Sequence, residues 1–309
     1  MKPLLTALTL TALLAGLGMG CRKPKTADQT ISSVDLLATA DKQMKEGKFN
    51  DARLTLRHLE QYVPGSAEFP KAKLMLGDSY FFQPSPSYPE AEVEYTSFLN
   101  YFPRHERRDY AIYHRALCHF SAIESAERDQ AETRKALEGF QQLVSESPGS
   151  PYVREARAKI VQCWRRIAEH ELVVGVFYVN TYFYPGAERR LKNLLETYPD
   201  HVDRERAYYY LGEALRQRLL SDEELTQFNK DHAAKLKRED LRDLSKEEAT
   251  EYNKVLTAFA SERVKVFRTE AKSYYQKLVE SYPGSEWARR AADRLVTMGS
   301  GGIKEELDG

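Results

Sequence analysis

The stretch Ala52-Arg53-Leu54-Thr55-Leu56-Arg57-His58-Leu59-Glu60-Gln61-Tyr62-Val63-Pro64 decides the fold. Steps of four and three place Ala52, Leu56 and Leu59 on one stripe of a helix, and Pro64 follows as its stop signal. The same spacing returns as Ala91-Tyr95-Phe98-Pro103, Ala136-Phe140-Leu143-Pro148, Ala187-Leu191-Leu194-Pro199 and Ala271-Tyr275-Leu278-Pro283. The small residue heading each stripe admits a neighbouring helix closely, and the two larger residues fill the space beyond it. Five recurrences predict an all-α stack of helical hairpins.

Upstream of the stripes stand Leu76-Gly77 with Tyr80, Gly175 with Tyr178, and Ala40 twelve residues before Ala52. These resemble the first helix of the tetratricopeptide repeat, in which a small residue and an aromatic three places on pack against the second helix. The fold class expected is therefore a tetratricopeptide-repeat α-solenoid of about five hairpins. Gly47-Lys48-Phe49 supplies the turn of the first hairpin, with Gly47 as its helix cap. Gln83 to Ser87, with Pro84 and Pro86, makes a rigid extra loop in the second.

The marker prolines are 39, 45, 51 and 84 residues apart, so each unit exceeds the ~34 residues of a bare repeat. The longest gap marks a charged helical insertion at about 216–262, and half of residues 221–250 are charged. Ser221 with Glu224, and Ser245 with Glu248, fit helix-start capping boxes. From Ser245 onward Ala249, Tyr252, Leu256, Phe259 and Val266 hold one stripe, which predicts an exposed charged helix and then a long helix running into Ala271.

The chain opens with Met1-Lys2, an apolar run from Leu4 to Leu17, and Gly18-Met19-Gly20-Cys21. That run has signal-peptide length and falls short of the ~20 apolar residues of a membrane span. The cysteine after small residues resembles a bacterial lipobox, although Gly18 stands where leucine is usual. Residues 1–20 are thus expected to leave as a lipoprotein signal, Cys21 to carry diacylglycerol and acyl chains, and 21–33 to form a polar tether. No Asp follows Cys21, so nothing favours retention in the inner membrane. Lys and Arg balance Asp and Glu at 46 each, which gives no basic excess for a nucleic-acid partner. Cys118 and Cys163 each fall inside an expected helix, without metal-ligand spacing; a periplasmic location permits a disulfide between them, and the other reading is two small buried residues.

Stacked hairpins bury a continuous core and leave a curved surface, whose concave side is lined by the first helices. Repeats one to three (34–150) contribute Asp78, Phe81, Tyr110, Tyr113 and Arg115 there, the residues of a candidate groove for an extended peptide with a terminal carboxylate. Tyrosines in such solenoids also serve simply as packing between repeats.

Tyr101-Phe102-Pro103-Arg104-His105, then Asp109-Tyr110, Tyr113, Arg115 and Leu117, resemble the BamD family of outer-membrane lipoproteins in the β-barrel assembly machinery. So do Arg128-Asp129 with Pro148, Ser150 and Tyr152, and Glu171, Val174 and Phe177-Tyr178 with Arg190, Leu194-Leu195 and Tyr198-Pro199-Asp200. The likeness spans about 34–217. It implies an outer-membrane lipoprotein facing the periplasm. Its N-terminal repeats would receive the C-terminal segments of unfolded outer-membrane proteins. Its C-terminal repeats (151–298, before a tail at 299–309) would dock on the POTRA domain of the barrel insertase, beside other assembly lipoproteins. Arg190 matches the family's arginine position, and Arg189-Arg190 becomes the candidate docking pair.

Enzymatic readings find little to stand on. His114 and His119 are five apart, His170-Glu171 has no second histidine to complete a zinc motif, and neither a phosphate loop nor a Gly-x-Ser-x-Gly elbow occurs. The chain is therefore expected to be a non-enzymatic adaptor, with no metal and no cofactor beyond the lipid at Cys21. The alternative is a periplasmic scaffold of the Tol–Pal-associated type, which shares Tyr-Pro-x-Ser endings but lacks the Asp109–Leu117 pattern.

Overall fold

A computed structural model of the chain describes residues 32–300, and Cys21 and the signal lie outside the described residues. Twelve helices are described: α1 Ser33–Lys45, α2 Phe49–Tyr62, α3 Phe69–Phe81, α4 Tyr88–Tyr101, α5 Arg108–Ser121, α6 Ala131–Glu146, α7 Val153–Asn180, α8 Tyr184–Thr197, α9 Arg204–Gln217, α10 Asp222–Lys235, α11 Lys246–Ser281 and α12 Glu286–Ser300. Consecutive pairs α1/α2, α3/α4, α5/α6, α7/α8 and α9/α11 form five antiparallel hairpins, closed by α12, in a tetratricopeptide solenoid.

All five stripes lie on second helices (α2, α4, α6, α8 and α11), and all fifteen of their apolar residues have 0% exposure. Each of these helices ends two residues before its proline. The residue between, Val63, Phe102, Ser147, Tyr198 or Tyr282, takes φ from −124 to −137° and ψ from 48 to 60°. A following proline bars that residue from helical geometry. Its N–H still bonds back to the carbonyl of the last stripe residue, so the stop leaves no orphaned donor there.

The core is three linked clusters. One joins α1, α2 and α3, a second runs from α3 to α7, and a third from α7 to α12. Phe102 packs against the first and second, and Tyr198 against the second and third, so two residues in pre-proline positions weld the segments together. Adjacent hairpins also approach through their first helices, α1 on α3, α7 on α9 and α9 on α12, whereas no successive second helices do so comparably among the described residues. The first helices therefore form the tighter, inner side of the curve.

The unequal proline spacing has specific causes. In the third unit a nine-residue loop, Ala122 to Gln130, is tied by the Gln130 amide, which donates to the carbonyls of Ser125 and Arg128 at 2.9 Å each. In the fourth, α7 lengthens to 28 residues. In the fifth, α10 and a 36-residue α11 take up the excess, and both capping boxes form as the sequence predicts. Two boundaries shift: Ser33, expected in the tether, is already helical with Ser32 as its cap, and α12 continues to Ser300, while α11 passes without a break from insertion to fifth stripe as the sequence predicts. Capping and stripe continuity, rather than charge density, set those limits.

Candidate functional site

On the inner side, α3 and α5 bring three of the five expected groove residues together. The hydroxyls of Tyr95 (α4) and Tyr110 (α5) both donate to Asp78 Oδ1, each at 2.7 Å. Asp78 Oδ2 takes no hydrogen bond among the described residues, and the residue as a whole is partly buried. His114 stacks on Tyr110 with ring centroids 4.0 Å apart, donating Nδ1–H to the Tyr110 carbonyl at 3.1 Å. Phe81 stands edge-on to His114 at 5.4 Å. The Arg107 guanidinium lies 4.6 Å from the centre of the Tyr110 ring.

The electrostatics of this cluster run against its charges. Burial pushes the Asp78 carboxyl up to about 6, although the two hydroxyls and Arg107 favour its ionised form. Burial likewise pushes the His114 imidazole down to about 4, with Arg107 adding to the effect. Both groups resist the charge they would carry in water.

Two expected groove residues fall elsewhere. Tyr113 is 4% exposed and stacks on Tyr152 at 4.7 Å and 15°, so it is packing between α5 and α7 rather than groove lining. Arg115 donates to Gln142 Oε1 on α6 at 2.7 Å, which commits its guanidinium to its own hairpin. Asp109 also has a structural task, accepting from the Ser150 hydroxyl at 2.7 Å and tying the loop after α6 to the start of α5.

The sequence reading missed the partners of Asp78. Leu76-Gly77-Asp78 and Leu211-Gly212-Glu213 share the pattern Leu-Gly-acid, each acid standing fourteen residues past the proline that ends the preceding hairpin, Pro64 or Pro199. A Cβ on Gly77 would meet Tyr95 Cε1 at 2.6 Å, and one on Gly212 would meet Tyr275 Cε1 at 2.5 Å. Only glycine lets the mid-stripe tyrosine lie flat on the first helix and reach the adjacent acid. That repeated pattern was the available signal.

At the other end of the solenoid, Arg190 pairs with Glu171 and lies 5.6 Å from the Tyr178 ring centre, held inside the α7/α8 hairpin. Arg189 is exposed at the rim of a cleft of about 480 Å³ between the α7–α8 turn and the start of α10, with Phe183, Pro185 and Leu220. The expected basic pair is thus split, one arginine structural and one available. Cys118 and Cys163 are buried free thiols, pushed by burial up to about 12 and about 11, as small core residues should be.

Among curated proteins the chain resembles the outer membrane protein assembly factor BamD of Caulobacter vibrioides, 27% identical over 68% of either chain. The BamD proteins of Vibrio cholerae and Haemophilus influenzae are each 27% identical too, over 69% and 60% of this chain and 92% and 74% of their own. A tetratricopeptide-repeat family model matches residues 268–285, the fifth stripe and its proline. The YfiO family model, described as outer membrane lipoprotein, matches residues 29–230, and the chain belongs to that family, the BamD family.

Proposed function

We propose that this protein is a lipid-anchored, non-enzymatic adaptor of the machinery that inserts β-barrel proteins into the outer membrane, working from its periplasmic face. The family match carries the reading: it runs from before α1 into α10 and so takes in the whole solenoid up to the insertion. Membrane attachment is assigned to acyl chains on Cys21; among the described residues no helix is long and apolar enough to cross a membrane.

Two surfaces divide the work. The inner face of α3 and α5, around Asp78, Phe81 and Tyr110, receives the C-terminal segments of unfolded outer-membrane proteins. The α7–α8 end, with exposed Arg189, docks on the POTRA domain of the barrel insertase, while Arg190 holds that end in shape. Other assembly lipoproteins join the same complex.

The test is a pull-down of the tagged full chain from native membranes. Co-purification of the barrel insertase is expected, and depletion of the protein should lower many unrelated outer-membrane barrels together. An empty pull-down with normal barrel levels would overturn the assembly role.

A further inference from the structure

The second and fifth hairpins carry the same device in different states of completion. In the fifth, Glu213 Oε1 accepts from the Tyr275 hydroxyl at 2.6 Å and from Arg294 Nε at 2.7 Å, while Oε2 accepts from Arg216 at 3.3 Å. Burial opposes the charge of Glu213, but the hydroxyl and the two guanidiniums outweigh it and hold the carboxyl below its ordinary value. In the second, Asp78 and Tyr95 occupy the corresponding places, and the cations are missing. Arg216, three residues past Glu213, is matched by Phe81, three past Asp78; Arg294, eleven past Pro283, is matched by His114, eleven past Pro103.

Asp78 is therefore an acid whose repeat-mate is closed by two internal arginines, while its own second oxygen takes no internal hydrogen bond among the described residues and its side chain is only partly buried. Arg107, the guanidinium nearby, lies over the Tyr110 ring and gives Asp78 no hydrogen bond. The rings of Phe81, His114 and Tyr110 pack in series beside Asp78, Tyr110 through its hydrogen bond to that carboxylate. A carboxylate oxygen framed by ring faces suits a cationic side chain, through a charge-assisted hydrogen bond and cation–π attraction. A ligand carboxylate would meet Asp78 itself, with Arg115 already committed to Gln142.

We propose that Asp78 is a subsite for the guanidinium or ammonium of an arginine or lysine in the bound peptide, which supplies in trans the cation that Arg294 supplies in cis to Glu213. This rests on the inner face of α3 and α5 being a peptide groove, and it specifies what that groove reads. The bound peptide is selected by a positive side chain beside apolar ones, with its chain terminus read elsewhere.

The experiment uses the full mature chain in detergent and two fluorescent octapeptides of alternating aromatic and small residues. One has a central arginine and the other citrulline, the same shape without the charge. Wild-type protein should bind the arginine peptide at least tenfold more tightly. Asp78→Asn should bring the two to equal affinity, and so should His114→Arg, which installs the internal partner of the fifth hairpin and keeps the fold if Asp78→Asn does not. Equal binding of both peptides to wild type overturns the cation subsite and leaves the groove standing. A preference that survives in both variants places the reading elsewhere and overturns the assignment to Asp78. Binding of neither peptide removes the groove reading and the subsite with it.

Discussion

Tyr275 donates its hydroxyl to Glu213 at 2.6 Å across 62 residues of sequence, the whole charged insertion lying between them. The bond joins α9 to α11 and makes one hairpin of two helices that the chain separates by α10. Gly212 makes it possible, since a side chain there would strike the tyrosine ring. Gly212→Ala and Gly77→Ala should each destabilise the protein by about 1–3 kcal/mol through overpacking. Tyr275→Phe, which removes only the hydroxyl, should cost about 1 kcal/mol because Arg216 and Arg294 remain on Glu213. Chemical denaturation measures all three, and a smaller loss for either glycine variant than for Tyr275→Phe would contradict the close-approach account.

Lys73 is 2% exposed and bridges Glu60 at 2.8 Å and Glu94 at 3.0 Å, while Arg57 pairs with the same two acids. This four-charge network pins α2, α3 and α4 together. Lys73→Met should cost about 3–5 kcal/mol, because Glu94 is then left buried with Arg57 alone. Adding Glu94→Leu should recover part of that loss, since the desolvation penalty goes with the charge. A double-mutant cycle by urea unfolding gives the sign of the coupling.

Asp78 and His114 should leave opposite marks on the pH dependence of stability. Asp78 rises from 3.8 to about 6 on folding, so its contribution is fully present below pH 3.8 and is lost as pH rises through 6. His114 falls from 6.5 to about 4, so its contribution is present above 6.5 and is lost as pH falls through 4. Each effect is on the order of 3 kcal/mol, and between pH 4 and 6.5 they partly cancel. Burial and Asp78 raise the Tyr95 and Tyr110 hydroxyls, which stay neutral across this range, and Arg107 and Glu155 also act on the cluster. Asp78→Asn should therefore lose stability more steeply on acidification from pH 7 to 5 than wild type. His114→Gln should lose less than wild type or gain. Guanidinium melts across that range settle the signs.

Within α10 only Ala233 is buried, and α11 buries nothing before Phe267. An aromatic seam holds this arm, with Phe228 stacked on Phe259 at 4.8 Å and His232 edge-on to Tyr252 at 5.3 Å. Arg218 pairs with Glu188 and Glu224 and lies 4.1 Å from the Phe267 ring centre, which fixes the base of the arm to α8 and α11. Amides of α10 and the first half of α11 should exchange faster than those after Phe267. Phe228→Ala should speed exchange in the arm and leave the rest of the solenoid unchanged, as hydrogen-exchange mass spectrometry will show.

Arg189 and Arg190 should separate in function. Arg190→Ala breaks the Glu171 pair and should cost about 1 kcal/mol, consistent with a partly buried ion pair that solvent still screens. Arg189→Glu should leave the melting temperature unchanged and reduce co-purification of the barrel insertase. An unchanged pull-down would remove Arg189 from the docking surface.

Sequence by itself determined what depends on near neighbours. The stripe spacing fixed which face of each second helix is buried, the prolines fixed where those helices stop, and Ser221 and Ser245 fixed where α10 and α11 begin. Each of these is a contact within a few residues, and periodicity reports it directly. Tertiary structure decided how identical local signals are used. Leu-Gly-acid reads the same at Asp78 and Glu213, yet Glu213 receives Arg294 from 81 residues away, while the matching place in the second and third hairpins is His114, which stacks on Tyr110. Likewise Tyr113 and Arg115 lie three and five residues past Tyr110 but leave the groove, because Tyr152 before α7 and Gln142 on α6 claim them. The partners of a buried charge are set by how whole helices stack, and no short-range pattern in the chain encodes that register.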